Sequence, residues 1–262
     1  MKLGKSSHSY LKYVCIIFAL CFTAATLTSC GSSSKSDKEI NDDPEKAYNI
    51  AYKKYQAKDY YDAIEDFGLI KLRYSGTKVI DKAIFYLGMS YYMREEFVLA
   101  AYEFEYLLKN YPGSELSLKA RYQLAMCYYG LSPAYNLDQT YTKYAIQEFR
   151  NFMDLYPKDP LSLEAEKRII ELKNKLAMKE LKAAEQYMVL GNYKSAIIYY
   201  DALLDEFFET EYADDALYGK IQALMAKKRY DDVKKEIERF ETKFRNSSLL
   251  PNINKIKNQL PS

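Results

Sequence analysis

The sequence has no tryptophan, one histidine, four cysteines and nine glycines in 262 residues. The histidine, His8, and two of the cysteines, Cys15 and Cys21, fall within the first 29 residues, which read as a leader that is removed. Beyond it there is no imidazole, which excludes imidazole metal ligation and His-based acid–base catalysis. No activated nucleophile, Gly-rich phosphate loop or metal-ligand spacing is present either, so the expectation is a non-enzyme without cofactor. An excess of charge is also lacking. The 38 basic residues face 36 acidic ones, and 35 face 36 once the three leader lysines are gone. That leaves no basic footprint for nucleic acid. The acidic pairs Glu95-Glu96, Asp214-Asp215 and Asp231-Asp232 belong at helix starts or on solvated faces. Past Cys30 a single thiol, Cys127, remains. It can form no internal disulfide, and between Met126 and Tyr128 it reads as a small buried hydrophobe.

What is present begins with Lys2, Lys5 and Lys12, then an apolar run from Tyr13 to Phe22, then Leu27-Thr28-Ser29-Cys30. This is the layout of a secretory signal, and the run is shorter than the roughly 20 apolar residues a membrane-spanning helix needs. The last four residues resemble the lipobox of bacterial lipoproteins. The resemblance implies removal of residues 1–29 and a covalent diacylglycerol and N-acyl chain on Cys30, and several acyl chains on one residue give stable anchoring. Residues 30–43 then form a Ser-rich tether with nothing to bury. Asp43 as N-cap and Pro44 at the first helical position open the folded part.

From there the chain repeats. An aromatic residue ends each of five segments, at Tyr74, Tyr111, Tyr156, Phe207 and Phe244. Eleven residues before each stand Ala63, Ala100, Ala145, Ala196 and Val233, and four residues later come Phe67, Phe104, Phe149, Tyr200 and Ile237. Ala83, Ala120, Ala165 and Ala216 follow nine residues after the first four aromatics. A small residue one helical turn before a large one, recurring at fixed offsets, is a packing rule for stacked helices. Gly88 and Ala125 would let neighbouring helices approach closely. Residues 44–246 thus divide into five helix pairs, with residues 247–262 as a C-terminal tail of little helix.

Between terminal aromatics the spacing is 37, 45, 51 and 37 residues. The 45 reflects eight extra residues between the helices of unit three, around Gly130 to Thr140. The 51 carries 14 more between Leu161 and Leu190, a stretch without Gly or Pro. Fourteen residues are almost four turns, so the apolar face stays in phase and one long helix, projecting beyond the array, is expected in unit four.

The offsets resemble the tetratricopeptide repeat, which implies an all-α, right-handed superhelical solenoid of five helix pairs. Ser132-Pro133-Ala134-Tyr135-Asn136-Leu137-Asp138-Gln139-Thr140-Tyr141-Thr142, lying between paired helices and followed by Ala145-Ile146, is similar to a segment of the BamD family. Those are lipoproteins of the outer-membrane β-barrel assembly machinery. This resemblance implies a lipid-anchored protein on the periplasmic face of the outer membrane. Its partners would be the periplasmic domains of the barrel-forming assembly protein, held through the C-terminal repeats, other assembly lipoproteins, and unfolded outer-membrane proteins as clients. The alternative is a periplasmic repeat adaptor lipoprotein for cell-envelope division or peptidoglycan machinery.

Two sets of residues are expected to carry these contacts. In tetratricopeptide arrays the first helices line the groove, and steps of 37 residues through units one to three give Tyr48, Phe85 and Tyr122; Tyr52, Met89 and Met126; Tyr55, Tyr92 and Tyr129. All nine are aromatic or Met, a lining suited to extended apolar segments. The insertion residues Pro133, Tyr135, Leu137, Asp138 and Gln139 are expected to dock a partner, since departures from repeat length tend to carry function. Periodicity alone leaves open whether the nine face a groove or the core.

Overall fold

The computed structural model describes residues 43–261. The leader, Cys30 and the tether lie outside the described residues, apart from Asp43, whose carboxylate caps the first helix by accepting from the backbone N–H groups of Glu45 and Lys46 at 3.0 and 3.4 Å. Eleven helices follow among the described residues. They are α1 (Pro44–Gln56), α2 (Tyr60–Arg73), α3 (Ile80–Met93), α4 (Phe97–Asn110), α5 (Ser117–Leu131), α6 (Thr140–Leu155), α7 (Leu161–Val189), α8 (Tyr193–Glu206), α9 (Ala213–Ala226), α10 (Tyr230–Lys243) and α11 (Leu250–Lys257). The first ten form five consecutive pairs in a superhelical, tetratricopeptide-like array, each helix packed on its neighbours in sequence.

The turns explain the repeat. In units one, two, four and five the first helix ends in a 6→1 hydrogen bond, from Asp59 to Lys54, Glu96 to Tyr91, Asn192 to Tyr187 and Arg229 to Leu224, each at 3.0 Å. Closing that bond puts the preceding residue in the left-handed region, at Lys58, Glu95, Gly191 and Lys228. Only unit four uses Gly there. Between units, the carbonyls of Tyr74, Tyr111, Tyr156, Phe207 and Phe244 each accept from the N–H three residues on. The terminal aromatics thus sit at the same β-turn five times.

The core follows the small-then-large rule. Ala63, Ala100, Ala145, Ala196 and Val233 are buried, as are the five large residues one turn later and the four alanines Ala83, Ala120, Ala165 and Ala216. Close approach is built in at three glycines, Gly88, Gly130 and Gly219. A Cβ at Gly88 would lie 2.9 Å from Phe104 Cε1, and one at Gly219 would run into the Tyr200 ring. Cys127 is fully buried, and burial pushes its thiol well above the ordinary range.

Two features differ from the sequence expectation. The 29-residue α7 is one continuous helix, but it does not project: Ala165, Ile169, Leu172 and Leu176 join the core of unit three, and Ala177, Leu181 and Ala184 the core of units four and five. Its buried apolar residues recur every three or four positions from Ala165 to Ala184, so neighbours cover that stripe, while Leu163, Ile170 and Val189 stand exposed off it. At the C-terminus, residues 250–257 form the short helix α11, with Pro251 in its first turn and Ile253 fully buried against the last pair.

Candidate client groove and insertion

The first helices α1, α3 and α5 each carry half-buried aromatic residues. Tyr48 and Tyr52 stack at 5.8 Å between ring centroids, and Tyr52 and Tyr55 at 6.2 Å. Tyr86 of α3 stands among them, 4.7 Å from Tyr52 and 5.0 Å from Tyr55. Further along, Tyr92 meets Phe97 at 5.4 Å, and Met89, Met126 and Tyr129 are also half-buried. At the α7 end, the Tyr129 hydroxyl donates to Glu171 at 2.7 Å and accepts from Arg168 at 3.0 Å, with that guanidinium 4.9 Å from the Tyr129 ring centre.

Of the nine stripe residues, seven are half-buried and two are buried. Phe85 packs on Phe104 at 5.7 Å, and Tyr122 on Phe152 at 5.4 Å and Phe149 at 5.9 Å; both are buried. The reason is geometric: each first helix is flanked by helices on two sides, and one of the three rows selected by the 37-residue step turns inward in units two and three. Sequence reasoning missed Tyr86 because its counterparts at that step, Asn49 and Gln123, are polar.

Burial, reinforced by neighbouring phenols, lifts Tyr86 to about 12 and raises Tyr48 and Tyr55 as well; burial is also the main cause of the raised values at Tyr92 and Tyr129. These five phenols therefore stay protonated across the physiological range, offering rings and hydroxyl donors. Lys82 and Lys119 are exposed.

The insertion is a compact turn pinned to α7. Gln139 is buried: its amide nitrogen donates to the Ala134 and Leu137 carbonyls at 2.8 and 3.1 Å, and its amide oxygen accepts from Thr142 at 2.7 Å. Lys175 donates to the Ser132 hydroxyl and Lys179 to the Leu137 carbonyl, both at 2.7 Å. Gln139 thus folds the insertion from within. Asp138 is exposed and caps α6 by accepting from the Thr140 N–H at 2.9 Å, and the Thr140 hydrogen bonds hold its carboxyl below the usual range. Pro133 and Tyr135 are half-covered, and Leu137 presents an exposed side chain. Among the described residues no His/Cys/Asp/Glu cluster could hold a metal, and no helix is long and apolar enough to cross a membrane.

Comparison with known proteins adds the family. No curated protein matches the sequence. Among solved structures, a tetratricopeptide protein from Bacteroides fragilis is 14% identical, covering 84% of this chain and 100% of its own, with a TM-score of 0.47. The TPR2AB domain of yeast Sti1, solved as a complex with pHSP90, is 17% identical over 83% of this chain and 85% of its own, with a TM-score of 0.40. Neither reaches 0.5, and the fold rests on the helices themselves. A family model, YfiO, outer membrane lipoprotein, matches residues 40–248. That span takes in all five helix pairs and the insertion, and the chain belongs to the YfiO (BamD) family of outer-membrane lipoproteins.

Proposed function

We propose that this non-catalytic lipoprotein of the assembly machinery receives unfolded outer-membrane proteins on the Tyr/Met surface of units one to three. Its C-terminal repeats hold the periplasmic domains of the barrel-forming protein, beside other assembly lipoproteins. The observation that carries the client reading is the half-buried, uncharged row of Tyr52, Tyr55, Tyr86, Tyr92 and Tyr129 on successive first helices. Such a row offers large contact area at low cost in side-chain entropy, and its polar tips can bond the backbone of an extended segment. It lacks the cationic clamp that a charged peptide terminus would need.

Truncating Tyr52, Tyr55, Tyr92 and Tyr129 singly to Ala tests it. Each should weaken binding of a C-terminal client peptide about 5–10-fold, the effect of losing about 1–1.4 kcal/mol. The melting temperature should move by only a few degrees. Unchanged peptide affinity in all four would remove the client surface from these residues.

For the insertion, the geometry separates a docking residue from a folding one. Leu137→Asp should lower the recovery of the barrel-forming protein in co-purification while leaving thermal stability within about 0.5 kcal/mol, as exposed substitutions do. Gln139→Ala should instead cost about 1–3 kcal/mol, because it strips partners from two carbonyls and a buried hydroxyl. Equal recovery of the partner with Leu137→Asp would rule out docking through the tip.

A further inference from the structure

The outward face of the second helices changes character along the array. Thirteen residues before the terminal aromatic stand Tyr61 and Val98 in units one and two, but Lys143, Lys194 and Asp231 in units three to five. Nine residues before it, Tyr102 of unit two and Ile198 of unit four contrast with Glu65, Gln147 and Lys235, and two residues before it, Leu72 of unit one contrasts with Lys109, Asp154, Asp205 and Thr242. These apolar side chains are in the open: Tyr61 is 60%, Leu72 78% and Tyr102 58% exposed, and Leu69, Val98 and Leu99 join them. Beyond Ile198 no large hydrophobic is exposed among the described residues.

The crests of α2 and α4 form one surface. Lys71 of α2 reaches the Glu103 carboxylate of α4 at 2.7 and 2.9 Å, and its ammonium lies 4.1 Å from the centre of the Tyr106 ring and 5.1 Å from that of Tyr102. At the other end the Arg94 guanidinium lies 5.8 Å from the Tyr61 ring centre. Arg73 and Lys109 stand exposed at the C-terminal ends of the two crests; Asp62, Glu65 and Asp66 lie between Tyr61 and Leu69, of which only Glu65 is exposed, and Glu105 is exposed beyond Tyr102.

We infer that this face, Tyr61, Leu69, Leu72, Val98, Leu99 and Tyr102, lies in the headgroup layer of the phospholipid membrane that carries the anchor. Three observations select a lipid surface. The apolar residues stand on helix crests, which a deformable layer can accept. Tyrosine with leucine and valine, flanked by Lys and Arg, is the composition of an interfacial surface. Finally, the face lies in the units that directly follow the anchor, while the later second helices expose only the scattered Tyr141, Tyr144, Leu155 and Ile198: 12 residues lie between Cys30 and Asp43, a reach of at most about 45 Å even when fully extended. The inference rests on the lipoprotein reading of Cys30.

The absence of tryptophan makes the test direct. Tyr102→Trp in the full-length, acylated protein places a single fluorophore on the face, Val98→Trp supplies a second probe one turn away, and Lys235→Trp places one at the equivalent position of unit five. In vesicles of phosphatidylethanolamine and phosphatidylglycerol with brominated acyl chains, emission from positions 98 and 102 should fall about twofold or more, as for side chains ~5–10 Å into the interface. Emission from position 235 should stay as in water. Flotation of the same vesicles reports the anchor separately. Protein that floats with all three probes equally unquenched overturns the membrane face alone, and protein that does not float overturns the anchor and the face together. Shielding of position 102 only on addition of solubilised assembly partners would assign the face to a protein and equally overturn the lipid reading.

Discussion

Phe149→Ala should destabilise the protein by about 3–5 kcal/mol, the cost of truncating a fully buried aromatic ring, whereas Tyr129→Ala, one helix away, should cost far less. Phe149 is fully buried in the core formed by α5, α6 and α7, 5.9 Å from Tyr122 and 6.4 Å from Tyr129. No helix can close the cavity cheaply, because Ala145 and Ala165 hold their backbones at the approach the ring defines. Tyr129 lies at the rim, with its hydroxyl between Glu171 and Arg168. Denaturant melts of the two variants, read beside client-peptide affinity, separate packing from recognition. Phe149→Ala should lose stability and Tyr129→Ala affinity. Equal losses of stability would place Tyr129 in the core and remove it from the client surface.

The second large effect concerns the other end. Lys220 of α9 is clasped between Asp201 of α8 at 2.6 Å and Glu236 of α10 at 2.7 Å, with Arg239 beside Glu236 at 3.4 Å. The two carboxylates raise the Lys220 ammonium above its ordinary range against the opposing effect of burial. Lys220→Met keeps the stem but leaves the largely buried Glu236 carboxylate without its closest partner, and breaking such a pair from one side costs about 3–5 kcal/mol. Arg239 and the exposure of Asp201 place the expectation at the low end, about 3 kcal/mol. Because stability in a repeat array is carried by neighbouring interfaces, the loss should fall on units four and five. Hydrogen exchange should quicken in α8–α10 while α1–α4 stay protected. Client-peptide binding should then persist as recovery of the barrel-forming protein falls. Uniform acceleration of exchange across the chain would contradict this division.

Much of the array was legible because stacking forces a fixed vocabulary. Ala at the close approach, a large residue one turn on and an aromatic at the inter-unit turn recur at offsets that a sequence displays directly. The long α7 was legible as one helix because 14 inserted residues keep its phase. That it is covered rather than projecting was not, since an apolar stripe names no neighbour. The candidate site was legible in outline only. Phe85 and Tyr122 share their spacing and chemistry with Tyr48, yet flanking helices turn them inward, a distinction that lives in the superhelix. Tyr86, at the centre of the unit-one cluster, has polar counterparts at 49 and 123, so no repeat marks it. Gln139 is a short-range case of the same problem. Its amide closes the insertion on itself, and a polar residue that satisfies a turn looks the same in sequence as one that meets a partner.

Co-purification tests most directly whether the repeats of this lipoprotein join the barrel-assembly machinery. The acylated protein, tagged after Ser262 and isolated from detergent-solubilised outer membranes, should bring down the barrel-forming assembly protein as its main partner, and Leu137→Asp should reduce that recovery. Recovery of division or peptidoglycan enzymes in its place, with the barrel-forming protein at background level, would contradict the assignment.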